Sequence, residues 1–355
     1  MFQDPHYDDH QRTVSVYDAE SGLRAVIAIH STALGPAAGG CRLWSYDTAD
    51  AALSDALRLS RGMSYKNAVA GLPMGGGKAV ILGPVPPERR DAVFTAFGKA
   101  VESLGGLYIT AEDVGVTEAD LAIVARNTRY ASGVAMRGGI GGNPSPFTAR
   151  GVRIGIEAAV RLALGRTDIE GLRVAVQGLG GVGSNLCREL HERGARLTVA
   201  DIAGRRVEEA CDLYSAQPAD ADDILLAEVD VVAPCALGSA ITADVARTMR
   251  AGIVAGAANN PIAGDEAGRI LFERGITYVP DYVINAGGII VVTAEYLGAG
   301  DRGEVDRAID RIGDRTSEIL ERSQAERRPT HDVADRMARA IIARAGQRGS
   351  ATNPA

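Results

Sequence analysis

Residues 173–201 read RVAVQGLGGVGSNLCRELHERGARLTVAD. The apolar run Val174–Val176 has the composition of a buried strand. Gly178-Leu179-Gly180-Gly181-Val182-Gly183 then matches the pattern GxGxxG, a helical segment follows, and LTVAD reads as a second strand. A glycine pattern by itself is weak, but between a strand and a helix it describes a dinucleotide-binding turn. Gly178 permits the tight turn, Gly180 has no side chain to block a pyrophosphate, and Gly183 lets helix and strand pack closely. Gly181 and Val182 open the helix, whose unpaired amides suit phosphate oxygens. Asp201 closes the second strand, where a carboxylate bonds the ribose hydroxyls of NAD and repels the extra phosphate of NADP. Arg205 and Arg206 would attract that phosphate. The aspartate takes precedence, and NAD is the expected cofactor.

Downstream, strand candidates at Val229–Ala233, Ile253–Gly256 and Ile276–Val279 alternate with helical segments at 204–212, 242–250 and 265–274. This alternation predicts a mostly parallel sheet covered on both faces. Residues 302–324 and 331–345 read as terminal helices, and the polar stretch from 346 as a loose tail. Upstream, the β-type runs 13–17 and 24–30 flank a turn at Glu20-Ser21-Gly22, which predicts a hairpin. A glycine-rich segment occupies 34–42. A helix capped by Asp47 or Thr48 follows, then a second glycine cluster, Leu72–Lys78, that feeds the strand-like AVIL. Residues 87–104 predict another helix, Leu107–Thr110 a short strand, and Thr117 the start of a further helix with an acidic first turn. The loop GGIGGNPSPFT at 138–148 is the expected domain boundary, with a helix from about Thr148 to Leu164. The expected layout is a first domain at 1–145, a dinucleotide domain at 146–328, a C-terminal helix at 329–345 and a flexible tail at 346–355.

Bulk properties narrow the function classes. The 355 residues are 46% hydrophobic and 23% charged, which suits a soluble globular chain with a sizeable core. A net charge of −7 disfavours a general nucleic-acid binder. The four cysteines lie far apart with no CxxC spacing, which supports neither a zinc site nor a disulfide framework, and a reducing cytoplasm is the expected location. The acidic start MFQDPHYDDHQ does not resemble a signal peptide, and no run approaches a membrane span.

A dinucleotide domain supplies the carrier without naming the reaction. Two lysines in the first half stand out. Lys66 sits in the mainly apolar GMSYKN, and Lys78 is held between Gly75-Gly76-Gly77 and AVIL, a placement that desolvates an ammonium and suits proton transfer. Asp113, in AEDVG, lies between a strand and a helix, a common place for an active-site carboxylate and equally for a helix cap. The five histidines are scattered without metal-ligand spacing, so no metal is expected. In the second half, Ala257-Ala258-Asn259-Asn260 and Asn285-Ala286-Gly287-Gly288 follow predicted strands, where side-chain amides suit a nicotinamide ribose or carboxamide and also suit plain turns.

Together these stretches resemble the Glu/Leu/Phe/Val amino acid dehydrogenase family, in the branch that contains leucine dehydrogenases. The resemblance runs from about residue 23 to 342. It rests on LGPAAGGCRLWSYDTADAALSDALRLSRGMSYKNAVAGLPMGGGKAVILG, YITAEDVGVT, GNPSPFTARGV, APCALG, AGAANN and PDYVINAGG, in that order. It implies a two-domain α/β fold with a cleft: an N-terminal α/β domain that binds substrate and builds a homo-oligomer, and a C-terminal Rossmann-type domain that binds NAD. It implies that Lys66 binds the substrate carboxylate beside Gly39 and Gly40. Lys78 and Asp113 are then catalytic, and Ala257, Asn259, Asn260 and Asn285 face cofactor or substrate. The implied activity is reversible oxidative deamination of an L-amino acid to its 2-oxo acid and ammonia, with no nucleic acid or membrane partner.

The side chain follows from what is missing. Family enzymes acting on glutamate place a lysine in the glycine segment, where this chain has Gly39-Gly40-Cys41. Leu34, Ala37, Ala38, Met63, Val134, Ile289 and Val292 imply an apolar pocket and a branched-chain substrate. Two departures leave phenylalanine or a less usual amino acid open: the segment Val134–Gly141 with Arg137, and a valine after NAGG where leucine enzymes usually carry asparagine. A nucleotide-binding regulatory protein with a retired site is the remaining alternative.

Overall fold

The structure is a computed structural model that describes residues 1–133, 143–236, 238–298 and 301–351. In chain order the elements begin with β1 (Arg12–Asp18), β2 (Leu23–Ser31), β3 (Ala37–Trp44), α1 (Ala49–Val69), β4 (Gly75–Leu82), α2 (Arg90–Ser103), β5 (Tyr108–Glu112) and α3 (Glu118–Ala125). There follow α4 (Ser145–Leu164), β6 (Arg173–Gln177), α5 (Gly181–His191), β7 (Arg196–Ala200), α6 (Gly204–Tyr214), β8 (Gln217–Pro218), β9 (Val231–Pro234) and α7 (Ala243–Thr248). The chain ends with β10 (Ile253–Val254), α8 (Gly264–Glu273), β11 (Thr277–Tyr278), α9 (Asp281–Ile284), α10 (Gly287–Tyr296), α11 (Arg302–Glu326) and α12 (Thr330–Ala351). They form two compact units, one of Met1–Gly142, Val292–Gly300 and Met337–Ala355, the other of Asn143–Val291 and Asp301–Arg336.

The first unit is built on a five-stranded mixed sheet in the order β1-β2-β4-β3-β5. The hairpin forms as its turn residues require, with Asp18 paired to Leu23. Strand alternation sends successive side chains to opposite faces. Val26, Ala28 and Val80 meet Ala52, Ala56 and Leu57 of α1. Ala25, Ile27, Ile29, Ala79 and Ile81 pack with Val93, Phe94 and Phe97 of α2 and with the buried Tyr108. Lys78, two residues before Val80, therefore issues from the α1 face of the central strand. Thr48 caps α1 through its side chain, and Thr117 with Asp120 forms a complete capping box on α3.

Both glycine-rich segments are strands. Ala37–Trp44 lacks the β-branched residues that mark a strand by composition. It is held by parallel pairing to β4 on one side and β5 on the other. Its glycines serve close approach: a Cβ on Gly39 would strike the Gly77 carbonyl, and one on Gly75 the Ser31 carbonyl.

The second unit is a six-stranded parallel sheet in the order β11-β10-β9-β6-β7-β8, the Rossmann order. The order reverses between β6 and β9, where Gln177 lies opposite Pro234 and ligands of such sheets bind. The core joins the sheet residues Val174, Val176, Val199, Val231 and Ile253 to Ile156 of α4 and Leu186 and Leu190 of α5. The chain thus has the expected two-domain α/β architecture with a Rossmann-like second sheet. Two ends differ from expectation. α4 starts at Ser145 rather than Thr148, because a proline in its first turn has its φ already set for a helix. α12 continues to Ala351 through residues expected to be loose, since alanine, arginine and glutamine favour propagation of a helix already begun. Among the described residues, no helix is long and apolar enough to cross a membrane.

Candidate active site

The first unit brings Lys78 and Asp113 together across 35 residues of sequence. Lys78 Nζ lies 2.7 Å from Asp113 Oδ2. Lys78 is only 6% exposed, whereas the Asp113 side chain keeps 22% of its surface. Gly40 makes the approach possible. A Cβ on it would stand 2.7 Å from the Glu112 carbonyl oxygen and 2.8 Å from Asp113 Cβ. Burial works to raise the Asp113 pKa. The charge and hydrogen bond of Lys78, followed by the charge of Arg42, outweigh burial and hold the carboxyl below its ordinary value.

On α1, Met63 and Lys66 are three residues apart and share a face. Met63 Cγ would be 3.0 Å from a Cβ on Gly39, so this face lies against the glycine segment of β3. Lys66 and Met63 are both half-buried. Ala37 lies in the core on the α2 side. Beneath the glycines, the buried Tyr108 donates its hydroxyl to the Gly39 carbonyl at 2.6 Å. Cys41, next in β3, is buried, and burial pushes its thiol well above the ordinary range, which makes it a poor nucleophile.

Sequence reasoning missed Arg42 and Asp55. Arg42 Nε donates to Asp113 Oδ2 at 3.3 Å and Arg42 Nη1 to Asp55 Oδ2 at 2.9 Å. Asp55 also accepts from Tyr46 and Arg58, each at 2.6 Å. The available signal was Asp55 standing 11 residues before Lys66, three helical turns along the same face.

In the second unit, Gly178 has φ +90°, a conformation suited to glycine, and a Cβ on it would stand 2.8 Å from Ala236 N. A Cβ on Gly183 would meet the Gly178 carbonyl. One on Gly180 would meet nothing within 4 Å, and one on Gly181 would come 2.7 Å from Ser145 Oγ. Gly180 caps α5 without a side-chain hydrogen bond, so the amides of Gly181, Val182 and Gly183 stand in an uncapped first turn. Asp201 accepts from Leu179 N at 2.6 Å and Ala203 N at 2.8 Å, with Arg206 at 3.7 Å. It therefore sits against the glycine turn it was expected to serve.

Asn285 gathers its expected companions. Its Nδ2 donates to the Ala257 carbonyl at 3.1 Å and to Asn259 Oδ1 at 2.9 Å, while its buried Oδ1 has no partner among the described residues. Asn260 is exposed in a left-handed turn at φ +49°, its amide bonded to Asp281 at 2.8 Å. Ile289 and Val292 are half-buried, three residues apart on α10. Val134, Arg137 and the glycines of 138–142 lie outside the described residues. The orphaned Asn285 oxygen, the open space over Gly180 and the uncapped α5 start together fit a pyrophosphate-bridged dinucleotide.

Comparisons with known proteins extend this picture. A family model described as Glu/Leu/Phe/Val dehydrogenase, dimerisation domain, matches residues 10–130. One described as Glutamate/Leucine/Phenylalanine/Valine dehydrogenase matches 138–211 and 199–348. The chain is 46% identical to leucine dehydrogenase of Bacillus subtilis, over 95% of this chain and 92% of that protein. It is 42% identical to valine dehydrogenase of Streptomyces virginiae, over 93% and 92%. The crystal structure of L-tryptophan dehydrogenase from Nostoc punctiforme superposes with a TM-score of 0.85 at 39% identity, covering 96% of this chain and 97% of that one.

Proposed function

The chain belongs to the Glu/Leu/Phe/Val dehydrogenase family, and we propose that it interconverts a branched-chain L-amino acid and its 2-oxo acid with NAD as hydride carrier. The observation that carries this reading is the 2.7 Å contact between the buried Lys78 and Asp113, beside a glycine strand shaped to admit them. A paired ammonium and carboxylate can hold and pass a proton at a substrate nitrogen or at an attacking water.

In this mechanism Lys66 pairs with the substrate carboxylate and, with Gly39 and Gly40, fixes its orientation. Met63, Ile289 and Val292 are the side chains assigned to contact the apolar side chain of the substrate. Lys78 gives and takes the proton during water addition to the iminium and collapse of the carbinolamine. Asp113 relays protons and stabilises the cationic nitrogen. Gly178, Gly180, Gly181, Val182, Gly183 and Asp201 would hold the pyrophosphate and ribose of the dinucleotide. Ala257, Asn259 and Asn285 would hold its nicotinamide end, with Asn260 toward the substrate. When bound, that group supplies the hydride acceptor. The chain acts as a homo-oligomer, as the description of its first family model suggests.

The branched-chain preference is supported by the absence of a cation at Cys41 and by the commitment of Arg42 to two carboxylates, which suits it poorly to bind a distal substrate carboxylate. The test is initial-rate NADH oxidation with ammonium and each of 4-methyl-2-oxopentanoate, 3-methyl-2-oxobutanoate, phenylpyruvate, indole-3-pyruvate and 2-oxoglutarate, against ammonia-free controls. Fastest ammonia-dependent turnover of the first two is expected. An aromatic preference moves the substrate and keeps the chemistry. Turnover independent of ammonia, or none, overturns the assignment.

A further inference from the structure

Asp113 Oδ2 receives two cations, Lys78 at 2.7 Å and Arg42 at 3.3 Å. The second contact is not a loose surface pair. The Arg42 side chain is 22% exposed, and its planar fork spans Asp113 and Asp55. Asp55 is in turn held on α1 by Arg58 and Tyr46. Arg42 therefore cannot leave Asp113 without disturbing a chain of alternating charges that ties β3 to α1.

This matters to a proton cycle. A lysine that serves as general base spends part of each turnover neutral. A half-buried carboxylate with lysine as its sole cation would then gain a proton itself, because an unpaired charge in such a place is costly. Resting on the dehydrogenase reading above, we propose that Arg42 is a positioning residue that keeps Asp113 ionised and in place while Lys78 exchanges its proton. The pair then moves one proton and not two. Other groups felt at this place are Glu112 of β5, a carboxylate that opposes ionisation of Asp113, and the buried Cys41 and Tyr108, which stay neutral.

The test is the pH dependence of kcat/KM for reductive amination in the native chain, Arg42→Gln and Arg42→Lys. With Arg42→Gln the acidic limb is expected to move to higher pH by about one unit, the effect of losing one nearby opposite charge. Arg42→Lys, which keeps the charge, is expected to recover at least half of that displacement. An unmoved limb in Arg42→Gln, or an equal displacement in Arg42→Lys, overturns the proposal. A second measurement needs no turnover: carbon-13 titration of the Asp113 carboxylate in Lys78→Met, assigned by its loss in Lys78→Met/Asp113→Asn. With Arg42 in place it is expected to titrate at or below the ordinary carboxylate value. A rise of two units or more overturns the proposal. If the native chain shows no ammonia-dependent turnover, the dehydrogenase reading fails and this titration alone decides the role of Arg42.

Discussion

Asp113 Cβ lies 2.8 Å from the point where a side chain on Gly40 would begin. The Asp113 carboxylate thus stands where it does because its neighbour strand has nothing there. Gly40→Ala would also press on the Glu112 carbonyl, so backbone has to move and Asp113 is drawn off Lys78. A displacement of about 1 Å costs roughly 100-fold in rate. Steady-state kinetics should show that loss mainly in kcat, with NADH affinity by fluorescence unchanged.

Removing either member of the proposed acid–base pair has two separable effects. Asp113→Asn is expected to lower kcat by about 10²–10⁴. It also leaves Lys78, 6% exposed, as an uncompensated buried charge, which lowers the unfolding midpoint. Lys78→Met combined with Asp113→Asn should therefore be more stable than Asp113→Asn alone, though equally inactive. Urea unfolding of the three variants checks the ordering.

Two glycines of the α5 turn, Gly180 and Gly183, predict opposite outcomes. A Cβ on Gly180 enters open space, so Gly180→Val should fold with an unchanged melting temperature and bind NADH on the order of tenfold more weakly. Gly183→Ala drives into the Gly178 carbonyl and should cost roughly 1–3 kcal/mol of stability. Calorimetry of both variants, with and without NADH, separates the two roles. Equal stability losses would defeat the distinction.

Asp201 should set the choice between the two dinucleotides. Asp201→Ala removes the charge that repels a ribose phosphate and leaves Arg206, now 3.7 Å away, to attract it. The ratio of kcat/KM for NADH over NADPH is expected to fall at least tenfold. An unchanged ratio would place the discrimination elsewhere.

Acid should loosen the first unit through His30. Its Nδ1 bonds Ser64 Oγ at 2.8 Å, and burial, with the neighbouring His10, lowers its pKa from 6.5 to about 4 despite Asp8. The folded state therefore favours the neutral ring. Stability is full above about pH 6.5 and is lost as pH falls toward 4, by at most about 3 kcal/mol from this group. Melting temperatures between pH 4 and 8 should fall on the acid side, and less steeply in His30→Gln.

Local signals in the chain carried the dinucleotide half. The run Val174–Val176, the glycine turn and Asp201 lie within 29 residues, and a strand, a tight turn and a helix are each decided by neighbours a few positions away. The cap at Thr48, one of two candidates, and the helix start at Thr117 with its acidic first turn were legible for the same reason, while the full capping box at Thr117 emerged only in the fold. The strand Ala37–Trp44 was not, because small residues have little strand preference of their own and become a strand by pairing with β4 and β5.

For the candidate site, residue types and order alone singled out Lys66 in an apolar stretch, Lys78 after a glycine cluster, Asp113 between a strand and a helix, and Asn260 and Asn285 after strands. Only the tertiary structure decided who meets whom. Arg42 reads in sequence as a charge at the end of a glycine segment. In the fold it faces Asp55, 13 residues on, and Asp113, 71 residues on. The sequence by itself determined which groups the site could use, since that depends on chemistry each residue carries alone. The fold decided that Asp113 has two cations on one oxygen, since such a charge balance arises from distances set by the pairing of three strands.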